Sequence, residues 1–205
     1  RWGLNQVLVI VVMILMVHFV NAQALPKYKN EKLPTDVRVK DLVAKMTLDE
    51  KISLLGYNSN AIPRLGIPAY NWWNECLHGV ARAGIATVFP QAIGMAAMWD
   101  KEQMFKVATA ISDEASAKHH EFASRNKRGI YQGLTYWTPN INIFRDPRWG
   151  RVAEGAGEDH YLGSKIAAAR VKGFQGDNLK DLNTMLACVK HFAAYGAPQA
   201  GRDYH

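Results

Sequence analysis

Short apolar segments alternate along the chain with longer segments of helical periodicity, and this order constrains the fold more than any other feature. Helical patterns cover residues 91–99, 101–123 and 159–174, and strand patterns cover residues 69–73, 134–138 and 185–189. The last strand candidate is apolar throughout, as a strand buried on both faces would be. Strands separated by helices predict βα units and therefore an α/β fold.

Turn-forming and polar residues cluster just after each strand candidate. Pro, Gly and Asn are the main members of these clusters. In a parallel α/β fold the carboxyl ends of the strands form the rim at which substrates bind. We therefore expect functional side chains directly after the strands.

The first residues have a different character. Residues 8–20 form a nearly continuous apolar run, which Arg1 precedes and Ala22-Gln23-Ala24 follows. This layout predicts a signal peptide over residues 1–24, cleaved to leave a secreted or periplasmic protein without a membrane segment. A transmembrane anchor, the alternative, needs about 20 apolar residues. The chain has no initiating Met, so we expect residues before Arg1.

A polar linker is predicted over residues 25–35, and helical signals follow it. Residues 36–45 carry a rough apolar stripe of helical spacing. Thr47 and Glu50 match a capping box, which predicts a second short helix that ends at Gly56. Residues 58–68 contain Asn, Gly and two prolines and are predicted to be a loop.

Charge and cysteine usage exclude several classes of function. The net charge of +7 is spread along 205 residues, and the densest basic stretch, 125–128, lacks interleaved aromatic residues, so nucleic-acid binding is not predicted. Cys76 and Cys188 have no metal-ligand spacing; two buried free thiols are favoured over the alternative, one disulfide. Residues 119–121 and 155–157 match neither a zinc nor a dinucleotide motif, so we expect no metal and no cofactor.

Three segments combine charge, aromatic rings and turn residues in a way that a plain core does not require. They are WWNECLHG at 72–79, TYWTPNIN at 135–142 with its continuation to residue 159, and VKHFAAYG at 189–196. A neutral sugar offers hydroxyls that donate and accept, and apolar C–H faces. A sugar site therefore needs carboxylates, fixed Arg or Lys donors and flat rings, all of which these segments supply.

The segments WWNECLHG, TPNINIFRDPRWGR and VKHFAAYG, in this order and with VFPQAIGMAAMW between the first two, resemble the N-terminal domain of glycoside hydrolase family 3. The resemblance implies an incomplete (β/α)8 TIM barrel over residues 36–205. It also implies a retaining mechanism, in which one carboxylate attacks the anomeric carbon and another acts as acid and then base. No motif here matches either carboxylate, so no catalytic residue is assigned, and the chain alone is expected to be inactive and poorly folded.

The resemblance assigns three residues of the first two segments to the substrate. Glu75 matches the family's acidic residue that binds sugar hydroxyls in the glycone subsite, with a buried salt bridge as the alternative role. Arg151 matches the sugar-binding arginine, with an ion pair to Glu154 or Glu158 as the alternative. Trp137 stands where the family places an aromatic or apolar residue against the sugar, with plain barrel core as the alternative.

Lys190 and His191 match the family's pair that donates to glycone hydroxyls, and they directly follow an apolar strand candidate. Neighbouring residues of a regular strand point to opposite faces. Both side chains can reach one ligand only through a bulge or a cis peptide bond. The resemblance implies such an irregularity after this pair.

The substrate predictions point in two directions. Glu75, in place of an Asp, resembles the β-xylosidase-like branch, since a longer acid fills the space of a hexose hydroxymethyl group. Residues 151–159 and 193–196 resemble the β-glucosidase branch. We expect the parent protein to be an exo-acting β-xylosidase that releases terminal β-linked xylose from oligosaccharides. The alternatives are a β-glucosidase of the same family and a non-catalytic sugar-binding fragment; the oligomeric state is not predicted.

Overall fold

The computed structural model describes residues 25–192 and 195–196. The predicted signal peptide, residues 1–24, lies outside the described residues, and export stays a prediction. The chain divides into two compact units, residues 1–52 and 53–205, and each is described by itself. No helix in the described ranges is long and apolar enough to cross a membrane.

The described part of the first unit is helical. It contains a 3-10 helix, Lys27–Lys29, followed by α1, Thr35–Lys45, and α2, Leu48–Ser53. Within the predicted linker, Tyr28 is buried and its backbone N–H donates to Asp41 of α1 at 3.1 Å. The capping box before α2 is confirmed, because the Glu50 N–H donates to Thr47 Oγ1 at 3.2 Å and the Thr47 N–H donates to Glu50 Oε2 at 2.8 Å.

The second unit contains two small sheets and three helices in its described part. β1, Asn58–Ser59, pairs antiparallel with β2, Tyr70–Asn71, and β3, Thr135–Tyr136, pairs parallel with β4, Leu186–Ala187. The helices are α3, Ala92–Ala96, α4, Lys101–Ser124, and α5, His160–Gln175, and 3-10 helices lie at Pro63–Leu65 and Val152–Glu154. α3 is shorter than predicted: it ends at Ala96, and Trp99 lies beyond it in a left-handed turn with φ +55°.

β3, α5 and β4 form a βαβ unit, which confirms the predicted α/β class. The strand predicted over residues 69–73 is present as β2, but it does not belong to the parallel sheet. It pairs antiparallel with β1, which lies in a segment predicted to be a loop. The strands of both sheets hold two residues each, and the described residues form no closed barrel. The β3–β4 ladder is short because its register changes. Tyr136 pairs with Ala187, but the next pair is Asn140 with Lys190. Three residues between these pairs on one segment therefore lie opposite two on the other.

The core of the second unit lies where α4 and α5 pack on the parallel strands. Both helices begin at Asp N-caps, whose carboxylates accept backbone N–H bonds within the first turn. Fully buried core side chains include Met104, Ile111, Tyr136, Phe174 and Met185. Burial of this kind contributes about 1.5–3 kcal/mol for each large apolar side chain, so the core holds the ends of β3 and β4 in place.

Two sequence predictions about residues 185–189 and the cysteines need correction. The strand was predicted to be buried on both faces, but Leu186 is 41% exposed and Val189 is 50% exposed. The reason is that β4 pairs on one side only among the described residues. Both cysteines are free; Cys76 is buried as predicted, but Cys188, which directly follows β4, is exposed.

Candidate functional site

A cavity of about 740 Å³ opens at the carboxyl ends of the parallel strands. Ligand pockets in proteins measure about 300–1,000 Å³, so this cavity has the size of a small-ligand site. Glu75, Trp137, Arg151 and Lys190 line it together. The structure therefore brings four of the five predicted substrate residues to one cavity, and the fifth, His191, contacts Arg151.

Arg170 of α5 joins the segments that carry these residues. It is 3% exposed, donates to the Leu77 carbonyl oxygen and lies 3.3 Å from Thr138 Oγ1 as a second acceptor. Burial lowers the pKa of its guanidinium. Leu77 lies close to Glu75 in sequence, and Thr138 directly follows Trp137. Because both accept from the same buried guanidinium, Arg170 holds the Glu75 segment and the Trp137 segment next to each other.

Glu75 presents an oriented carboxylate to the cavity. Its Oε1 accepts a hydrogen bond from Trp73 Nε1 at 2.9 Å, and its Oε2 accepts one from Arg82 Nε at 2.8 Å. The Arg82 side chain is 64% exposed, so the salt bridge lies at the cavity rim and is not the buried pair considered as the alternative. Each carboxylate oxygen keeps further acceptor capacity for a ligand hydroxyl.

Trp137 lies half-buried at the cavity wall. Its ring stacks on Trp73 with centroids 4.5 Å apart and an interplanar angle of 19°. Tyr136, the preceding residue, points into the core and is 2% exposed. Trp137, which directly follows β3, is thus less buried than the core residue Tyr136 and lines the cavity, which favours the ligand-facing role over plain core.

Arg151 is held by Glu154 through two hydrogen bonds, Nε to Oε1 at 2.8 Å and Nη2 to Oε2 at 2.6 Å. The ion pair considered as an alternative is thus present, at the cavity itself. The hydrogen bond to Glu154 raises the pKa of Arg151. Burial acts to raise the pKa of Glu154, but the Arg151 hydrogen bond and charge outweigh it and the pKa is lowered. Both groups are therefore charged at neutral pH, and the pair keeps the guanidinium oriented.

A cis peptide bond joins Lys190 to His191 and is the kind of irregularity expected there. The Lys190 side chain lines the cavity, where burial and, next, the charge of Arg151 lower its pKa. Among the described residues no hydrogen bond or ion pair to the Lys190 ammonium is found. His191 lies beside the cavity, with Nε2 3.5 Å from Arg151 Nη1.

Several residues around the site were not predicted as functional. Asn140 Nδ2 donates to Glu154 Oε2 at 2.5 Å, and Asn142 Oδ1 lies 2.9 Å from His191 Nδ1. The two asparagines stand two residues apart, the spacing that puts side chains on one face of an extended chain, so the sequence held a signal. The sequence did not indicate the contact between Arg82 and Glu75. Arg82 reaches Glu75 through a turn in which its own φ is +59°.

The described residues contain no group of three or more His, Cys, Asp or Glu side chains placed to hold a metal ion. The site consists of two carboxylates, each bound by an arginine, together with cationic donors and a stacked ring. The model of the Glycosyl hydrolase family 3 N terminal domain matches residues 50–205. The chain belongs to this family.

Known members of the family resemble the chain in sequence and in structure. Probable beta-D-xylosidase 7 of Arabidopsis thaliana is 45% identical over 184 residues, which are 80% of this chain and 22% of the relative. A solved structure of the GH3 exo-beta-xylosidase XlnD, in complex with a xylobiose aziridine activity-based probe, is 33% identical with a TM-score of 0.71 and covers 83% of this chain and 22% of that one. A beta-glucosidase from Erythrobacter marinus is 30% identical with a TM-score of 0.67, over 88% and 29%.

The chain spans about a fifth of the length of curated relatives such as the Arabidopsis protein. The family shared with both structures is nevertheless clear, because the family model covers every segment that lines the cavity.

Proposed function

We propose that the protein is an exo-acting β-glycosidase of the β-xylosidase type, which hydrolyses terminal β-linked xylose from oligosaccharides. Its residues 36–205 would then be the first part of a (β/α)8 barrel. Support comes from family membership and from the xylosidase names of relatives such as the Arabidopsis protein. Export through the segment 1–24 fits an enzyme that acts on oligosaccharides outside the cytoplasm.

One observation carries the proposal: Lys190, Glu75 and Arg151 line the same cavity as the Trp137 ring. A half-buried ammonium without a protein partner in the described part of the chain has its donors free for a ligand. The Glu75 carboxylate accepts from hydroxyls, and an indole face packs on sugar C–H groups. Together these groups match the two kinds of surface that a pyranose offers.

The carboxylates in this cavity are suited to binding and not to bond cleavage. Glu75 and Glu154 are each held by a guanidinium, at 2.8 Å and 2.6 Å. A retaining glycosidase needs a carboxylate free to attack the anomeric carbon and a protonated carboxyl to donate to the leaving group. The lowered pKa of Glu154 is the opposite of what the acid requires. We therefore propose that Glu75 and Glu154 bind or orient the sugar and that neither of them breaks the glycosidic bond.

A β-glucosidase is the second candidate, and the Erythrobacter marinus structure favours it. The two candidates differ by one hydroxymethyl group on the sugar. Glu75 lines the cavity, and Trp73 and Arg82 fix the position of its carboxylate. We infer that the pentose is preferred, because excluding an extra group from a fixed pocket is worth about 1–3 kcal/mol, or roughly 10- to 200-fold in kcat/KM.

The test uses the protein encoded by the complete gene, with nitrophenyl β-xyloside and β-glucoside as substrates. The proposal expects hydrolysis of the xyloside with the larger kcat/KM. Lys190→Met removes a charged donor and should lower kcat/KM roughly 10- to 100-fold, from about 1.5–3 kcal/mol per charged hydrogen bond. Lys106→Met, an exposed lysine on α4, is the matched control and should leave activity unchanged. No hydrolysis of either substrate, or equal loss in both variants, would overturn the proposal.

A further inference from the structure

The side-chain amide of Asn142 has one orientation that satisfies its neighbours. The backbone N–H of His191 points at Asn142 Oδ1 at 3.2 Å, and a backbone N–H can only donate. The atom that it meets must therefore be the amide oxygen. The amide nitrogen, Nδ2, in turn donates to the Tyr195 carbonyl oxygen at 3.4 Å. Two independent contacts thus give the same assignment of the amide oxygen and the amide nitrogen of Asn142.

This orientation determines where the His191 ring carries its proton. His191 Nδ1 lies 2.9 Å from the same Asn142 Oδ1. An oxygen acceptor at that distance requires an N–H on Nδ1, because two facing lone pairs would repel. In a neutral imidazole Nε2 is then the acceptor. Arg151 Nη1, which can only donate, lies 3.5 Å from Nε2, on the side where an acceptor is needed.

We propose that Asn142 is a positioning residue that keeps His191 in the Nδ1–H form, so that Nε2 accepts hydrogen bonds at the edge of the sugar site. Arg151 is then fixed from two directions. Glu154 binds its Nε and Nη2, while His191 Nε2 and the Tyr195 hydroxyl, 3.2 Å from Nη1, accept from the other end. Both partners of Arg151 are themselves bound by the segment that follows β3. Asn140 donates to Glu154, and Asn142 Oδ1 contacts His191 Nδ1.

This assignment changes the role expected for His191. The sequence resemblance describes a pair that donates to sugar hydroxyls, and Lys190 fits that role. His191 with a proton on Nδ1 instead accepts, either from Arg151 or from a hydroxyl that approaches Nε2. The effect on a sugar rests on the proposed function; the position of the proton does not.

Neutron crystallography of the complete protein without ligand, exchanged into D₂O, tests the assignment directly. The wild type should show deuterium on His191 Nδ1 and none on Nε2. Asn142→Asp keeps an acceptor oxygen and should keep Nδ1 deuterated, whereas Asn142→Leu removes it and should release the proton to Nε2. Deuterium on Nε2 and not on Nδ1 in the wild type would overturn the proposal, whether or not the protein hydrolyses xylosides.

Kinetics with nitrophenyl xyloside add a readout of the positioning role. Loss of one neutral hydrogen bond is worth about 0.5–1.5 kcal/mol, so Asn142→Leu should lower kcat/KM roughly 2- to 10-fold, chiefly through KM. Asn142→Asp should recover most of this loss. Asn60→Leu, at an exposed asparagine far along the chain, is the control and should match the wild type. Equal kcat/KM in Asn142→Leu and the wild type would count against the proposal.

Discussion

Gly173 lies where α5 packs against α4, and a methyl group added there has no space. A Cβ atom at Gly173 would lie 2.6 Å from Ala108 Cβ and 2.6 Å from the Phe105 carbonyl oxygen. Ordinary contacts begin near 3.4 Å, and a backbone carbonyl cannot rotate away as a side chain can. The two helices would have to separate. Gly173→Ala should therefore destabilise the protein although it replaces glycine inside a helix.

The expected magnitude follows from two opposing effects. Overpacking costs about 1–3 kcal/mol, and the backbone contact places Gly173→Ala in the upper half of that range. Alanine recovers about 1 kcal/mol of helix propensity. The net loss is about 1–2 kcal/mol, or a melting temperature lower by about 2–8 °C for a domain of this size.

Gly163→Ala is the matched control on the same helix. A Cβ atom at Gly163 meets nothing within 4 Å, so the helix propensity should act alone. Its melting temperature should rise by about 2–4 °C. Both variants are measured by thermal denaturation of the complete protein, followed by circular dichroism. If Gly173→Ala melts as high as Gly163→Ala, the close packing of α4 and α5 described above is refuted.

Three further predictions concern a helix cap, the thiols and an exposed ion pair. Asp100→Ala removes the N-cap of α4 and should lower the free energy of unfolding by about 0.5–2 kcal/mol in urea titrations. A thiol reagent should label Cys188, which is exposed, and spare Cys76, where burial also raises the thiol pKa; labelling of both at equal rates would contradict the structure. Hydrogen bonds from Arg148 lower the pKa of Asp146 to about 2, so its stabilising contribution is present at neutral pH and is lost as pH falls through that value. NMR titration should show this midpoint, and Arg148→Gln should raise it.

Much of the helical structure could be predicted from the sequence. The patterns at 101–123 and 159–174 match α4 and α5 to within one residue at each end. These helices are long, and each follows an Asp that caps it, so local signals and tertiary packing agree. The strands were predicted too long because their pairing ends at a change of register, which depends on contacts between segments 50 residues apart and not on local pattern.

The sequence was sufficient to predict the residues that line the candidate site. It was not sufficient to predict which residues bind and orient them. Glu75, Arg151 and Lys190 stand in recognisable segments, and the fold places them around one cavity. Arg82 reaches Glu75 only because its backbone adopts a left-handed turn, a conformation that an arginine rarely signals in sequence. The tautomer of His191 depends on a residue 49 positions earlier, so it too required the structure.

The central claim is that Glu75, Arg151 and Lys190 hold one sugar ring against Trp137. A crystal structure of the complete protein with bound D-xylose tests it most directly. We expect sugar hydroxyls within about 2.7–3.2 Å of the Lys190 ammonium and the Glu75 carboxylate, with Arg151 in reach of the same ring. Xylose bound elsewhere, or bound in this cavity without a hydrogen bond to any of the three residues, would contradict the account.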